Sequence, residues 1–236
     1  MINMNKIYVI GDIHGAYKAL KQVLERSNFD YENDTLIQLG DIVDGYRPDW
    51  ILCMRELQKI KNLILIRGNH DQWFVDYLAK GVPQTMWVNQ GGQTTLDVYK
   101  AGLDSGIITE DEVKSFFNKQ HFYYLDDENR LFVHGGIKYQ DIKDHEEWEL
   151  MWERDLWQMA YEGYINPASK QYKEIYIGHT STAIYGYDTP LNKFNIWNMD
   201  SGAGGWGKLS IMNIDTKEIF QSDLVGELYP DIKTAR

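Results

Sequence analysis

Short apolar runs alternate with amphipathic stretches through the first third of the chain. Lys6–Ile10 predicts a strand, and Ala16–Arg26 a helix with Ala19, Leu20, Val23 and Leu24 on one stripe. Thr35–Leu39 predicts a second strand, Pro48–Ile60 a helix with proline near its start, Leu63–Ile66 a third strand and His70–Lys80 a helix. Strands this short and this uniformly apolar are covered on both faces, so the β-α-β-α-β-α order predicts an α/β sandwich.

The middle of the chain is more helical. "TEDEVKSFFNKQ" places Glu112 three residues after Thr109, a capping-box spacing that opens a helix. Arg130–Val133 and Ile175–Ile177 read as strands. In "HEEWELMWERDLWQMA", Trp148, Met151, Trp152 and Met159 fall on one helical stripe, which predicts core packing for all four. The last third, with "NKFNIWNMDSGAGGWGKLSIMNIDTKEIFQS", alternates with turn signals and predicts antiparallel strands. No repeat, linker or low-complexity segment interrupts the chain, so residues 1–236 are read as one domain.

Polar motifs sit where the strands stop. "GDIHG" follows the first, "GDIVDG" the second, "RGNHD" the third, "HGG" the fourth and "GHT" the fifth. Ligands of open α/β sheets gather at the carboxyl ends of strands, so loops distant in sequence can converge there. The candidate ligands are Asp12, His14, Asp41, Asn69, His134 and His179. Oxygen and nitrogen donors without thiolates suit hard or borderline divalent ions such as Mn, Fe, Zn or Mg. Six donors exceed what one tetrahedral ion needs and match two ions sharing a carboxylate.

Two divalent ions bring four positive charges, against three from Asp12, Asp41 and a bridging hydroxide. Such a site attracts a phosphate dianion and lowers the pKa of water towards ~7. His70, beside Asn69, is placed to act as a general acid, with Asp44 as the carboxylate that orients it. Taken singly, each motif is also ordinary turn chemistry. Turns do not require four of the six histidines to follow strands beside glycine; His121 and His145 lack that setting and are read as bystanders.

Bulk properties narrow the partners. The 236 residues carry a formal net charge of −11, which repels nucleic acid wherever lysines are scattered, as Lys61, Lys100 and Lys114 are. No extended nucleic-acid groove is expected. No apolar run approaches the roughly 18–20 residues of a membrane span, and the N-terminal "MINMNKIYVIGD" is too short in apolar residues for a signal peptide. Cys53, the single cysteine, sits in the helical "WILCMREL" as a small buried hydrophobe and fits a reducing compartment. A cytoplasmic protein without a membrane anchor is the expectation.

The ordered set "GDIHG", "GDIVDG", "RGNHD", "VHGG" and "GHT" resembles the calcineurin-like metallophosphoesterases. Within them it looks most like the phosphoprotein phosphatase branch and its small lambda-phosphatase-like bacterial and phage members. The resemblance covers Lys6 to Phe220. It implies a four-layer α-β-β-α sandwich of two mixed sheets and a dinuclear centre, often active with manganese. Residue by residue, it implies Asp12 and His14 on one metal and Asp41 as the bridge. Asn69, His134 and His179 fall on the second metal, and His70 with Asp44 forms the acid pair.

Arg154, in "MWERD", resembles a family arginine that grips phosphate, and Arg67 in "RGNHD" matches a family position read as structural. "WVNQGGQTTLDVY" (Trp87 to Tyr99) is similar to a segment of lambda-type and diadenosine-tetraphosphatase-type members, with glycines that allow close packing near the site. The family pattern "GDxVDRG" departs here to "GDIVDGYRPDW", with Gly45 where an arginine contributes to phosphate binding. Arg47 either replaces it as a phosphate ligand or points to solvent and leaves Arg154 alone.

The resulting expectation is a metal-dependent phosphomonoesterase acting on a phosphorylated substrate, of the Ser/Thr protein phosphatase kind. One alternative keeps the chemistry and changes the substrate to a nucleotide or polynucleotide end. Another is an inactive metal-binding or interaction module. Substrate choice is expected in the loops at Gly45–Trp50, Gly81–Gly92 and Lys138–Tyr172.

Overall fold

The computed structural model describes residues 5–45 and 47–232. The ends of the expected 1–236 domain, the leading residues of the N-terminal segment and Tyr46 of the "VDGYR" loop lie outside the described residues. The first three strands, β1 (Ile7–Ile10), β2 (Thr35–Gln38) and β3 (Asn62–Leu65), alternate with α1 (Tyr17–Arg26), α2 (Trp50–Leu57) and α3 (Asn69–Lys80). α1 buries the stripe expected of it, Ala19, Leu20, Val23 and Leu24, and Cys53 is buried in α2. There follow α4 (Thr85–Trp87), a π-turn over Val88–Gly92, α5 (Gln93–Asp104) and α6 (Glu110–Phe117). The Thr109 hydroxyl caps α6, accepting from the Glu112 N–H at 3.2 Å.

The second half carries β4 (Tyr123–Leu125), β5 (Arg130–Val133), α7 (Glu147–Trp152), α8 (Asp155–Tyr161) and β6 (Glu174–Ile177). β7 (Leu191–Lys193), β8 (Ile196–Asn198), β9 (Ser210–Asn213), β10 (Ile219–Gln221) and α9 (Val225–Leu228) complete it. Two five-stranded sheets result, ordered β10-β9-β1-β2-β3 and β4-β5-β6-β8-β7. In each, three strands are parallel: β1, β2 and β3 in the first, β5, β6 and β8 in the second. β9, β10, β4 and β7 add antiparallel pairings.

Alternation along the strands builds the layers. Val9, Ile37, Phe132, Tyr176, Met199 and Met212 meet in a core between the sheets, where the Phe132 and Tyr176 rings stack at 4.8 Å. Their neighbours Tyr8, Ile10 and Leu36 face α1, α2, α3, α5 and α6 in a larger outer core. Leu131, Val133, Ile175 and Ile177 face α7 and α8 in a third. Period-2 side chains with both faces buried therefore give a four-layer α-β-β-α sandwich of two mixed sheets, as expected.

Two expectations are corrected. The last third is not wholly antiparallel, because β8 lies parallel to β6. The "HEEWELMWERDLWQMA" stripe is not one helix. Glu153 turns extended, and its carboxylate accepts from the Asp155 and Leu156 N–H groups, so it caps a new helix and resets the phase. Met151 is buried and Trp152 and Met159 half-buried, but Trp148 is 57% exposed.

Phe74 shows what the outer core depends on. It is fully buried and meets Trp50, Tyr99 and Phe117 edge-to-face at 5.2–5.5 Å. Truncating it leaves a cavity between rings that cannot collapse. Phe74→Ala is expected to lower stability by about 3–5 kcal/mol in urea unfolding. Trp148→Ala should change it by no more than about 0.5 kcal/mol; equal losses in the two variants would refute this account of the core.

Candidate active site

Each of the six parallel strands delivers polar side chains from the loop at its carboxyl end. β1 leads to Asp12 and His14, β2 to Asp41 and Asp44, β3 to Asn69 and His70. β5 leads to His134, β6 to His179 and β8 to Asp200. Because the sheets pack face to face, these loops meet at one edge. Asp41, His134 and His179 form one group whose ligand atoms lie within 4.8 Å of one another; Asp12, His14 and Asp41 form a second. Asp41 belongs to both.

The surroundings fix each ligand's geometry. The His14 Nδ1 faces the Val43 carbonyl at 2.9 Å, leaving Nε2 3.7 Å from Asp41. The His134 Nδ1 faces the Leu39 carbonyl at 2.7 Å, and its Nε2 lies 3.0 Å from Asn69 Oδ1 and 3.3 Å from Asp41. Backbone carbonyls on the far nitrogens orient rings for coordination. Asp41 accepts the His70 N–H at 3.0 Å at the start of α3, where the helix dipole favours an anion. Asp12 accepts the His179 N–H at 3.1 Å, tying the two sheets' loops together.

His70 and Asp44 are also brought together. The His70 Nδ1 is 2.6 Å from Asp44 Oδ2, and the ring packs edge-to-face on His14 at 5.1 Å. Asp44 is locked by two residues of the Trp87–Tyr99 segment, which the sequence placed near the site through its glycines without giving these two side chains a role. The Trp87 Nε1–H donates to it at 2.6 Å and the Thr95 hydroxyl at 2.5 Å. Eight residues of helix separate side chains by ~12 Å. Here the helix kinks at Gln90 and Gly91, the latter at φ 105°, and both side chains reach one carboxylate.

Arg154 is exposed, with Nη1 donating to the Thr180 hydroxyl at 2.9 Å and the His179 carbonyl at 3.3 Å. It stands at the rim of the His179 group. Arg47 is buried, its guanidinium turned onto the carbonyls of Gly204 and Gly205. Arg67 donates to the Gln72 side chain and the Phe117 carbonyl, as a structural residue would. His145 accepts from the Lys138 and Tyr139 N–H groups and belongs to neither ligand group.

Two buried acids went unnoticed in the sequence. Asp71 accepts from the Ile42, Val43 and Gly68 N–H groups and from Gln120, bracing the turn that carries Asp41. Asp200 accepts from the Gly202 N–H. "NMDSG" also follows an apolar run with an acid near glycine, but a region read as antiparallel strands offered no reason to place it at the site.

The electrostatics fit a cation. Burial, then Asp200 and Asp41, pushes Asp12 well above the usual carboxylate range. Burial and the Asp41 charge push Asp71 and Asp200 up to about 6. Burial opposes the charge on Asp41 itself, yet His134, His70 and His14 together hold it well below its ordinary value. His179 is lowered by burial and by His134, and its buried Nε2 has no hydrogen-bond partner. Crowded acids and an orphaned imidazole nitrogen are both relieved by a divalent ion.

Paired mixed sheets with two ligand groups sharing a carboxylate at their edge define the class of α/β sandwich proteins built for a dinuclear metal centre. Residues 5–203 match the model of the calcineurin-like phosphoesterase family, and the chain belongs to that family. Dinuclear metal dependence is a property of the family, and the two groups here are its possible ligands. The chain is similar to serine/threonine-protein phosphatase 2 of Escherichia coli, 26% identical over 213 residues, covering 88% of this chain and 92% of that protein. It is 34% identical over 90 residues to serine/threonine-protein phosphatase 1 of Salmonella typhimurium, covering 38% and 40%. It is 30% identical over 132 residues to the symmetrical bis(5'-nucleosyl)-tetraphosphatase of Photorhabdus laumondii, covering 55% and 44%. The chain thus spans less than half the length of the latter two. A crystal structure of a metallophosphoesterase from Sphaerobacter thermophilus shares the fold, with a TM-score of 0.59 at 17% identity over 96% of this chain and 93% of that one.

Metal binding and protonation compete here. Without metal, Asp200 keeps its proton to about pH 6 and Asp12 holds its own above the usual range. An ion binds only the deprotonated set, so loading releases protons and gains strength as pH rises. The increase in Tm on adding Mn2+ to chelator-stripped protein should therefore grow between about pH 4 and pH 7. A Tm that divalent ions leave unmoved at neutral pH would contradict this.

Proposed function

We propose that the protein is a metal-dependent phosphomonoesterase of the Ser/Thr protein phosphatase kind. The observation that carries it is Asp41 shared between two ligand groups with the His70–Asp44 pair beside them. Asp12, His14 and Asp41 would hold one ion, and Asp41, Asn69, His134 and His179 the other. Bound there, two divalent ions, manganese being our choice, supply positive charge for a phosphate and lower the pKa of water towards ~7.

The chain's own residues do the rest. Asp44 takes the His70 Nδ1–H and so leaves Nε2 to carry the proton that the leaving alkoxide needs. Burial works against charge on His70, but Asp41 and Asp44 outweigh it and raise its pKa, which keeps the imidazolium available. Trp87 and Thr95 keep Asp44 from rotating away. Arg154, exposed at the rim, is positioned to meet the phosphate oxygens by charge-assisted hydrogen bonds. Trp73 packs edge-to-face on His70 and Trp152 on His179, and the two indoles meet at 5.1 Å, linking the acid to the second ligand group.

The protein phosphatase reading draws support from the Escherichia coli relative, matched over 92% of its length. The Photorhabdus laumondii relative supports a second reading, hydrolysis of dinucleoside tetraphosphates. Both keep the same centre. With its single buried cysteine, the chain suits a reducing cytoplasm, and we read 1–236 as one metallophosphoesterase domain.

Turnover of p-nitrophenyl phosphate, a phosphoserine peptide and diadenosine tetraphosphate by the Mn2+-loaded protein separates the readings. The proposal expects the peptide to be preferred; preference for the dinucleotide selects the second reading, and no turnover of any of them rejects both. His70→Asn should lower kcat by about 10²–10⁴-fold with both ions still bound, whereas Arg154→Ala should chiefly raise KM. An unchanged kcat in His70→Asn removes the proton-donor role.

A further inference from the structure

Arg47 is 1% exposed, and a buried guanidinium must find acceptors for its donors. Its Nη1 donates to the Gly204 carbonyl at 3.0 Å, and its Nη2 donates to the Gly205 carbonyl. Those glycines lie 157 and 158 residues further along, in the loop between β8 and β9. That loop presses on His14: a Cβ added to Gly204 would stand 2.5 Å from His14 Cδ2. The Arg47 backbone carbonyl packs on Gly15, the residue after His14. His14 is thus held between the Val43 carbonyl at its Nδ1 and the Gly204 backbone at its Cδ2.

Gly45, two residues before Arg47 in the same loop, also packs on His14. Its φ is +76°, and a Cβ there would lie 3.1 Å from His14 Cβ and 3.2 Å from the His14 carbonyl. A side chain at 45 would need His14 to give by a few tenths of an ångström and would sit in a left-handed conformation that favours glycine.

We infer that Arg47 is a positioning residue for the His14 side of the metal centre. By fastening the Gly204–Gly205 loop over the His14 ring, it sets the affinity of the ion held by Asp12, His14 and Asp41. The inference rests on the reading of those three residues as metal ligands. It gives Arg47 no contact with phosphate, because the side chain is 1% exposed and directs Nη1 and Nη2 onto backbone carbonyls.

Mn2+ binding to chelator-stripped, folded protein, followed by the EPR signal of free Mn2+ and by calorimetry, tests it without reference to turnover. Wild type is expected to bind two ions. Arg47→Met should weaken one site about 10–100-fold and leave the other unchanged, with partial rescue in Arg47→Lys. His14→Ala should lose the same site, and adding Arg47→Met to it should cause no further loss. Arg154→Ala should bind both ions as wild type does. Should Arg47→Met fail to fold, Gly204→Ala crowds His14 while keeping the Arg47 bonds, and the same one-site loss is expected. Two unweakened sites in Arg47→Met, or in folded Gly204→Ala, overturn the inference. Weaker inhibition by inorganic phosphate in Arg47→Met with metal affinities intact would also overturn it, by making Arg47 a phosphate ligand. A wild type that binds no ion pair sinks the metal-centre reading itself, a result distinct from these.

Discussion

A carboxylate buried at the end of a strand has to be stabilised by the groups around it or give up its charge. Asp41, 2% exposed at the end of β2, keeps its charge because three imidazoles and the first turn of α3 converge on it. Those groups come from β1, β3 and β5, so holding one anion fixes the relative placement of loops from both sheets. The four layers can be read as the scaffold for that convergence. Two sheets with three parallel strands each put the carboxyl ends of all six at one edge, where each strand needs to contribute only one or two side chains.

The convergence is held at a backbone cost. His14, Asp41, Asp44 and His179 all have left-handed φ values, between 47° and 69°, four of the eight such non-glycine residues among those described. Each such residue costs on the order of 1–3 kcal/mol and persists only when its surroundings over-determine it. The surroundings are visible: Asp71 accepts from Ile42 and Val43, and the Asp44 N–H donates to Thr95. Gly68 permits Asp41 to approach α3, since a Cβ there would overlap its carboxylate. Strain at the ligands is therefore offset by hydrogen bonds one step further out.

That division explains what was legible in the sequence. Residues that end an apolar run with an acid or histidine beside glycine stand out, because strand periodicity and turn chemistry are local. Asp12, His14, Asp41, His134 and His179 belong to that class, Asn69 and His70 follow Gly68 in the same way, and most of the strand order is equally local. Trp87, Thr95, Asp71 and Asp200 act through contacts that depend on a helix kink, a helix N-terminus and a strand crossing between sheets. None of these is encoded by spacing. The Trp148 stripe misled for a related reason: helical periodicity assumes an unbroken helix, and the Glu153 carboxylate offers a better cap than continuation does.

Arginine placement divides the site into two halves with different freedoms. On the His14 side, a buried cation closes the loops onto one another and leaves little room for variation. On the His179 side, Arg154 is exposed, occupies the N-cap position of a short helix and donates to Thr180 and a backbone carbonyl. Trp152 next to it is only half-buried. Stability constrains the first half, since loosening it would leave a buried charge without acceptors, worth several kcal/mol. The second half can change at its surface without disturbing the ligands. On the proposed function, the candidate metal ligands on the His14 side are thus anchored where the fold is least tolerant, and Arg154 stands on the half that can vary.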